Sequence, residues 1–440
     1  MQTTTLRHSF LPELGTPRHG KVREIYTHDD TLTLVASDRI SVFDRILPDS
    51  IPDKGRILTQ LSLFWFEKTK DILSNHFISH PDPNVLVVQK CQPILIEMIV
   101  RGYLVGSLWR DYQAGKRVKC GIQIPEGLLQ NDPLPEPILT PTTKSEEGHD
   151  EDLTEEEILK QGLASQEVWE KAKKMALSLY KRGVEVLRER GLVLVDTKYE
   201  FGLDSKGNLM LIDEIHTPDS SRFWFEKDRA CKEVKFPDKE FLRQWLREQG
   251  FTGEGQIPTL PEEIKQKVRE GYTQVYQTIT GELLSSEQEV TPRRLVANLK
   301  RQKMIRGIFA LILAGSESDR VHFEKILAVL KEQHIPTDVF VASAHKQPKV
   351  VLDLIDRYNE SLEPMVCIAV AGRSNALSGL VASSLKWPVI ACPPFKDHSD
   401  YLTNIHSSLQ MPSQVPAMTV IDPANAALAA VRILKTMELT

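Results

Sequence analysis

The sequence has few cysteines, no excess of basic residues and no long apolar run, and each absence excludes a class of protein. Its five cysteines among 440 residues form no C-x-x-C pair, which argues against a disulfide framework or a zinc site. Lys plus Arg total 55 against 60 Asp plus Glu, a net charge of −5, whereas nucleic-acid binders are usually basic. No stretch reaches the roughly 18 apolar residues of a membrane span. Met1 opens no signal-peptide pattern, so we expect a cytoplasmic protein with neither a membrane nor a nucleic-acid partner.

What the sequence does contain indicates two globular regions. Apolar residues make up 41% and charged residues 26%, which excludes a disordered or collagen-like chain. Residues 1–283 mix short strands, Pro-rich loops and amphipathic helices, a pattern that predicts an α+β domain. From residue 306 to 440, apolar strands alternate with helices, which predicts an α/β domain with a parallel sheet covered on both faces. The polar segment 284–305 between them is predicted to be a linker.

Several predicted elements place the motifs along the chain. In the first region the predicted strands are 31–36, 94–100, 193–197 and 209–212, and the last two form a hairpin with a turn-rich loop. Apolar spacing predicts a helix over 165–190. In the second region strands are predicted at 308–313, 338–342 and 365–370, with further strand–helix units starting near 389 and 419.

Glu200 and Asp213 flank the predicted hairpin at the ends of its two strands. Two carboxylates held close together repel each other unless a cation lies between them. Magnesium binds one or two protein carboxylates together with substrate phosphates. Ion pairs with basic neighbours explain the same spacing, so a metal site and a structural pairing are both open at this stage.

Short motifs with basic and small polar residues are candidate anion sites. Gly20-Lys21-Val22-Arg23 is a glycine turn whose lysine could cover nucleotide phosphates, but it is not a P-loop, and a surface turn is the simpler interpretation. Arg101 with Ser107, and Arg222 with the serines before it, combine a bidentate phosphate binder with neutral donors. A capped turn beside a surface arginine is the alternative.

Together and in this order, these motifs resemble the SAICAR synthetase family of purine biosynthesis. The similarity covers about residues 10–283 and rests on the segments 20–23, 37–39, 101–103, 106–107, 140–144, 196–202, 213–214 and 218–222. It implies an ATP- and Mg²⁺-dependent ligase that phosphorylates the carboxylate of carboxyaminoimidazole ribonucleotide. The amine of L-aspartate then displaces phosphate, so catalysis depends on positioning and charge neutralisation.

The resemblance also implies a role for each matching residue. Those implied to contact ATP are Lys21, Arg23 and Glu97. The implied magnesium ligands are Glu200 and Asp213. Those implied to lie beside the reacting groups are Asp196 and Lys198. The residues implied to bind the ribonucleotide or to close over it are Arg101, Ser107, Lys144, His149, Asp219, Ser221 and Arg222.

In the second region, polar residues follow the predicted strand ends, where open parallel sheets bind ligands. The segment 315–319 opens a helix whose free amides form an anion site, with Ser318 or Asp319 as its N-cap. Ser343 and His345 follow the next strand. A capped turn and a surface histidine explain these residues equally well when each motif is taken alone.

This second set of motifs resembles the AIR carboxylase family over residues 306–436, which implies a flavodoxin-like three-layer sandwich. The segment Arg373-Ser374-Asn375 is similar to that of direct carboxylases, which use carbon dioxide without ATP or biotin, whereas mutase-type relatives have a different loop. The imidazole carbon would attack carbon dioxide, and a base would then remove the ring proton. The implied catalytic residues are His345 and Lys346. The residues implied to bind ribonucleotide or carbon dioxide are Gly315, Ser316, Ser318, Asp319, Ser343, Gly372, Arg373, Ser374 and Asn375.

The two resemblances together predict a bifunctional enzyme, because the product of the second domain is the substrate of the first. They also imply a homo-oligomer formed through the C-terminal domain, although the sequence ends at Thr440, where relatives usually continue into a further intersubunit helix. Two alternatives remain. In the first, only the ligase is active and the second domain is a mutase. In the second, that domain is a non-catalytic assembly module.

Overall fold

The computed structural model describes residues 5–144, 151–228, 239–285, 291–372 and 376–438. The chain forms two compact units: unit 1 comprises Met1–Arg7 and His19–Gln288, and unit 2 comprises His8–Arg18 and Glu289–Thr440. The predicted linker over 284–305 contains a helix, Thr291–Arg301, with Leu295 and Leu299 buried. No helix in the described part of the chain is both long and apolar enough to cross a membrane.

Unit 1 mixes antiparallel strands with helices, which confirms the predicted α+β class. The strands are β1 (Arg18–His19), β2 (Arg23–Thr27), β3 (Thr31–Ala36), β4 (Arg39–Val42), β5 (Arg45–Ser50), β6 (Phe77–Asp82), β7 (Val85–Gln89), β8 (Gln92–Pro93), β9 (Ile96–Tyr103), β10 (Val118–Lys119), β11 (Ile122–Gln123), β12 (Pro133–Thr143), β13 (Leu192–Leu203), β14 (Leu209–Ile212) and β15 (Ser221–Phe225). The first residue of β1 belongs to unit 2 and its second to unit 1. The helices of unit 1 are α1 (Lys54–Thr69), α2 (Gly106–Gln113), α3 (Glu155–Lys160), α4 (Gln166–Arg188), α5 (Lys239–Glu248) and α6 (Glu262–Thr280).

The long strand β13 is the centre of unit 1, because it pairs with β9, β14, β15 and β8. The proline-rich β12 pairs with β9 at the edge of this sheet, a position that tolerates residues without an N–H donor. Helix α4 packs against β13 through Trp169, Ala172 and Ala176, the buried stripe that the apolar spacing predicts. The predicted strands 31–36 and 209–212 have their observed bounds, whereas β13 extends six residues beyond the predicted 193–197.

Unit 2 is a parallel sheet between two layers of helices. Its strands are β16 (Phe309–Ala314), β17 (Thr337–Val341), β18 (Met365–Val370), β19 (Val389–Ala391) and β20 (Ala417–Thr419). Its helices are α7 (Thr291–Arg301), α8 (Arg320–Glu332), α9 (Pro348–Asn359), α10 (Ala376–Ser384), α11 (His398–Leu409) and α12 (Pro423–Glu438). The strand order β17-β16-β18-β19-β20 is that of a flavodoxin-like fold, which confirms the predicted class.

Alternate residues of β16 show why this unit has three layers. Phe309, Leu311 and Leu313 join the core under α9 and α10. Ala310 and Ile312 point the other way and join the core under α8 and α12. Because side chains alternate along a strand, a continuous apolar run buries both faces of the sheet.

The segment His8–Arg18 is part of unit 2, which the sequence did not predict. The Phe10 ring lies edge-on to Tyr358 at 5.3 Å, and the Phe10 carbonyl accepts a 2.9 Å hydrogen bond from Leu362 N. Glu13 Oε1 accepts hydrogen bonds from the backbone N of Arg306 at 2.6 Å and of Gly307 at 3.0 Å. Burial, and then the Glu13 carboxyl beside it, raise the pKa of Glu363 to about 9. This segment is therefore fixed by an aromatic contact, backbone hydrogen bonds and a carboxyl pair.

Candidate active sites

Three charged residues lie along one face of β13. Asp196, Lys198 and Glu200 are spaced two residues apart, so their side chains point to the same side of the strand. At about 3.3 Å per residue the row extends over roughly 13 Å. Asp196 and Glu200 are buried, and Lys198 is partly buried. Each end of the row belongs to a separate cluster of charged side chains.

At the Asp196 end, two guanidinium groups share one carboxylate. We call Arg101, Ser107, Thr140, Asp196 and Arg222 the arginine cluster. Asp196 Oδ2 accepts from Arg222 Nη1 at 2.6 Å and from Arg101 Nη1 at 3.4 Å. Arg101 also donates to Thr140 Oγ1 at 2.8 Å and to Ser107 Oγ at 3.4 Å. Burial lowers the pKa of Arg101, and Asp196 partly offsets this. Among these five residues two cations face one anion, an arrangement that attracts an anionic ligand, and Glu240 of α5 also lies near Arg222.

Gly106 brings the start of α2 close to this cluster. Its φ of +59° lies in the left-handed region, and a Cβ atom there would lie 2.4 Å from Arg222 Nη1. Only glycine therefore allows both the backbone turn and the approach of Arg222. The free amides at the helix start add to the two arginines as donors for an anion.

At the Glu200 end, acidic and basic side chains alternate. We call Arg23, Glu97, Lys144, Lys198, Glu200, Asp213 and Glu214 the carboxylate–lysine cluster. Lys198 Nζ donates to Glu97 Oε1 at 2.7 Å and to Glu200 Oε1 at 2.8 Å, and Lys144 pairs with Glu200. Arg23 pairs with Asp213 and donates to Glu214 Oε2 at 3.0 Å. Side chains from β2, β9, β13 and the two segments that follow β12 and β14 meet here.

The charges of this cluster hold Lys198 and Asp213 ionised despite burial, whereas burial raises the pKa of Glu214. Burial opposes the charged form of Lys198, but Glu200 and Glu97 outweigh it and raise its pKa well above the ordinary value. Burial likewise opposes the Asp213 anion, but Arg23 and Lys198 outweigh it and lower the pKa of Asp213. Asp213 adopts a φ of +62°, in the left-handed region that few non-glycine residues adopt.

The carboxylate–lysine cluster fits a magnesium ion that is shared with a phosphate ligand. Glu200 lies opposite Ile212 in the β13–β14 register, and Asp213 is the next residue along the chain. Four carboxylates face three cations, so negative charge is in excess. No three His, Cys, Asp or Glu side chains of the described residues form a metal site by themselves. Magnesium completes such a partial donor set with phosphate oxygens and water.

The structure keeps three predicted residues outside these clusters. Lys21 Nζ pairs with Asp44 at 2.8 Å, with the Lys21 side chain 60% exposed. Asp219 Oδ2 pairs with Lys54 at 2.7 Å and with Lys239 at 3.0 Å, while its Oδ1 accepts from the Tyr272 hydroxyl at 2.6 Å. The Ser221 hydroxyl donates to Thr197 Oγ1 at 2.7 Å. His149 lies outside the described residues.

Sequence reasoning missed several members of this region. Glu214 follows Asp213 directly, so the acidic pair itself was a usable signal for a second partner of Arg23. Lys54, Lys239 and Tyr272 come from α1, α5 and α6, and no local pattern connects them with Asp219. Glu200 lies within β13, three residues before its end, and not at a strand end as predicted.

In unit 2, the predicted phosphate segment follows β16. Gly315 N donates to Val370 O at 2.8 Å, and a Cβ atom at Gly315 would lie 3.2 Å from the Ala371 side chain. Ser316 Oγ accepts from Ser318 N at 3.2 Å and from Ser318 Oγ at 2.9 Å. Asp319 occupies the N-cap position of α8, one of the two predicted, although its side chain makes no cap hydrogen bond. The side chain that does cap is Ser316, at the start of the short 3-10 turn Glu317–Asp319 before α8. Burial raises the pKa of Asp319.

The other predicted residues of unit 2 follow the neighbouring strands. Ala314 pairs in register with both Val341 of β17 and Val370 of β18, so the three strands end at one edge of the sheet. Ser343 Oγ accepts from Lys346 N at 3.3 Å, and His345 and Lys346 are exposed there. Gly372 packs against Asn404, since a Cβ atom would lie 3.0 Å from its Nδ2. Arg373, Ser374 and Asn375 lie outside the described residues.

Comparisons with known proteins agree with the two units. The family model for SAICAR synthetase matches residues 17–259, more than half of the chain. The family model for AIR carboxylase matches residues 310–439. A curated phosphoribosylaminoimidazole-succinocarboxamide synthase from Bacteroides thetaiotaomicron is 48% identical over 281 residues, which cover 61% of this chain and 88% of that protein.

Solved structures are also similar to parts of this chain. A SAICAR synthase from Saccharomyces cerevisiae, complexed with SAICAR, is 34% identical with a TM-score of 0.58. The match covers 64% of this chain and 100% of the yeast chain. A structure of Treponema denticola PurE is 41% identical over 29% of this chain and 81% of that chain, with a TM-score of 0.28.

Proposed function

Since this chain belongs to the SAICAR synthetase family and also carries an AIR carboxylase domain, we propose that it is a bifunctional enzyme of purine biosynthesis. Unit 2 carboxylates aminoimidazole ribonucleotide with carbon dioxide. Unit 1 uses MgATP to join the resulting carboxylate to L-aspartate. The product of one reaction is the substrate of the other.

The row Asp196, Lys198 and Glu200 carries the proposal for unit 1. It connects a cationic cluster, suited to the phosphate of a ribonucleotide, with a cluster of carboxylates suited to MgATP. A substrate carboxylate bound between them lies beside Lys198. Such an arrangement fits an acyl-phosphate route, because two anionic groups must be held together and no enzyme nucleophile is required.

The residues of the two clusters in unit 1 then have separate roles in this reaction. Arg101 and Arg222 bind the ribonucleotide phosphate, with Ser107 as a neutral donor. Lys198 and Arg23 exchange their carboxylate partners for the phosphates of ATP and the substrate carboxylate, which neutralises charge during phosphoryl transfer. Glu200 and Asp213 would hold magnesium, which would add further neutralisation of the phosphates. The aspartate amine attacks the activated carboxylate, and phosphate leaves.

The ligase proposal is tested by replacing one cation of the row. Lys198→Gln leaves a polar side chain one atom shorter and removes its charge, and we expect turnover with the ring-carboxylated ribonucleotide, aspartate and MgATP to fall by about 100-fold or more. Lys206→Gln, in the exposed turn of the same hairpin, is the matched control and should turn over normally. Equal rates for the two variants would remove Lys198 from the reaction.

The carboxylase proposal rests on the strand ends of unit 2 and on the Arg373-Ser374-Asn375 sequence. Gly315 and Ser316 follow β16, which borders the point between β16 and β18 where the strand order reverses, the usual ligand position in this fold, and Ser343 follows the neighbouring β17. The electron-rich imidazole carbon attacks carbon dioxide, and His345 takes the ring proton so that aromaticity returns. Lys346 lies next to it in the chain, at the same exposed sheet edge.

One assay separates this proposal from the alternatives. The protein receives aminoimidazole ribonucleotide, bicarbonate, aspartate and MgATP, and the ATP used per succinocarboxamide product is counted. A direct carboxylase feeding the ligase gives product at one ATP each. A mutase or an assembly module gives none until the ring-carboxylated intermediate is added. His345→Asn should abolish the first activity only, and His406→Asn, exposed on α11, is the control.

The proposed homo-oligomer through unit 2 is supported by its exposed apolar side chains. Val321, Leu402, Leu409 and Met418 are 71%, 46%, 61% and 42% exposed. Exposed apolar side chains mark a partner surface where they form a contiguous patch. Light scattering on the purified chain tests this, and a monomeric mass at micromolar concentration would contradict it.

A further inference from the structure

The segment 213–222 belongs to both clusters of unit 1. At one end Asp213 lies in the carboxylate–lysine cluster, paired with Arg23. At the other end Arg222 lies in the arginine cluster, paired with Asp196. Its conformation therefore sets the positions of a metal ligand and of a phosphate-binding residue at the same time.

Two residues of this segment adopt a left-handed backbone conformation without being glycine. Asp213 has a φ of +62° and His216 a φ of +48°. Such residues keep this conformation only where the surrounding contacts fix it. The contacts of His216 therefore hold the segment near its middle, in addition to the Asp219 and Ser221 contacts that hold it closer to Arg222.

His216 is held by a buried tyrosine on the opposite face of β13. Tyr199 lies between Lys198 and Glu200, so its side chain points away from the charged row. Its hydroxyl lies 2.5 Å from His216 Nε2, and both residues are fully buried. The Trp65 ring meets the imidazole edge-on at 4.5 Å.

The hydrogen bond to Tyr199 is the one that the His216 ring makes within the described residues. Burial lowers the pKa of His216 to about 3, so the ring is neutral and Nε2 can accept from the hydroxyl. His216 Nδ1 has no partner within the part of the chain that the structure describes. Loss of the Tyr199 hydroxyl would leave both ring nitrogens buried without a hydrogen bond, and the ring would move to relieve this.

We propose that Tyr199 and His216 are positioning residues, which hold the segment 213–222 so that Asp213 and Arg222 reach their ligands together. This inference rests on the ligase function proposed for unit 1. The tyrosine acts through the histidine, and neither residue touches the reacting groups. One β-strand thus carries the charged row on one face and the support of its flanking segment on the other.

Tyr199→Phe tests the proposal with Tyr180→Phe as its matched control. Tyr180 is also buried, but its hydroxyl donates to Leu194 O at 2.8 Å and does not contact the segment. The expected result for Tyr199→Phe is a rise of about tenfold or more in KM for both the ribonucleotide and MgATP. Losing a residue that orients a ligand-binding side chain has effects of this size in other sites. Both variants should lose similar thermal stability, and Tyr180→Phe should keep its KM values.

A second variant displaces His216 by a substitution in α4. A Cβ atom at Gly183 of α4 would lie 2.5 Å from His216 Cε1, so Gly183→Ala displaces the ring while Tyr199 is retained. We expect the same paired rise in KM. If either variant that folds keeps both KM values at the wild-type level, the positioning role is overturned.

A binding measurement separates this inference from the ligase proposal. Mn²⁺ is titrated into wild type and variants with a non-hydrolysable ATP analogue and followed by electron paramagnetic resonance. Weaker Mn²⁺ binding by Tyr199→Phe but not by Tyr180→Phe supports the positioning role, whether or not turnover is seen. Wild-type protein that binds Mn²⁺ and the analogue but makes no product contradicts the ligase function alone, and equal Mn²⁺ binding by the two variants contradicts the positioning role alone.

Discussion

At the scale of single residues, the arginine cluster depends on an uncharged position. Arg222 can reach Asp196 only because Gly106 has no side chain and turns the backbone into the left-handed region. The Arg101 and Arg222 side chains supply the charge, but the glycine determines where one of them lies. In the motif from Arg101 to Ser107, the arginine therefore supplies charge, and Gly106 leaves the space that the Arg222 side chain occupies.

Gly106→Ala should weaken ribonucleotide binding more than it weakens the fold. A methyl group there meets Arg222 Nη1 at 2.4 Å, so we expect KM for the ribonucleotide to rise about tenfold or more while kcat changes less. The backbone penalty for alanine at this φ is about 1–2 kcal/mol. Steady-state kinetics and thermal unfolding measure the two effects.

Gly115→Ala is the control, because Gly115 also has a positive φ, +88°, but nothing lies within 4 Å of its Cβ position. It should show the loss of stability without the change in KM. A similar rise in KM for both variants would assign the effect to α2 as a whole, not to the contact with Arg222.

At the scale of elements, helix α3 shows how a short acidic segment is held in a helix. It has only six residues, too few for a helix that is stable on its own, and three glutamates occupy its first turn. The Thr154 hydroxyl accepts from Glu157 N at 3.2 Å, and Glu157 Oε2 accepts from Thr154 N at 2.8 Å. This capping box and the favourable charge at the helix start explain why the acidic run folds here.

Thr154→Ala should lower the free energy of unfolding by about 1 kcal/mol, because the N-cap and the reciprocal bond are both lost. Ser178→Ala, which also removes a helix hydroxyl but from the middle of α4, should be neutral or slightly stabilising. Urea unfolding of both variants measures the difference. An equally small effect at Thr154 would mean that tertiary packing alone holds α3.

Helices and strands could be predicted from the sequence where a local apolar pattern determines them. Contacts between residues that are distant in sequence could not be predicted. Short apolar runs gave β3 and β14 their observed bounds, and the apolar stripe gave α4 within two residues. The carboxylates of the first site could be expected from their place beside a hairpin. The support from Tyr199 and the lysines around Asp219 could not, because a buried tyrosine or lysine has no local signature of its partner.

At the scale of the whole molecule, unit 2 contains residues from both ends of the chain. Glu13 accepts from the backbone at Arg306 and Gly307, and Glu13 N donates to Glu363 Oε2 at 3.3 Å. Glu363 is fully buried and has its pKa raised to about 9, first by burial and then by Glu13. It therefore stays protonated at neutral pH, when it can share a proton with Glu13.

This carboxyl pair makes the stability of unit 2 depend on pH. Between the ordinary pKa of 4.5 and about 9, the folded chain keeps a proton on Glu363 that the unfolded chain releases, so stability falls as pH rises. Glu363→Gln keeps a neutral donor without this proton. We expect the variant to have a higher Tm than wild type near pH 8 and little difference near pH 4.

Glu332→Gln, at an exposed position on α8, is the control and should follow the wild type at every pH. Calorimetry across the pH range gives the comparison. A constant difference between Glu363→Gln and wild type would show that Glu363 does not titrate in this window.

Because His8–Arg18 packs within unit 2, this segment is synthesised long before the residues that it contacts. Glu13 and Glu363 are separated by 350 positions, and a ribosome adds about 5–20 residues per second. The segment with Phe10 and Glu13 therefore leaves the ribosome roughly 20–70 s before its partners exist. For that time Phe10 is an exposed aromatic side chain on a nascent chain, and unit 2 is the last part of the protein to close around it.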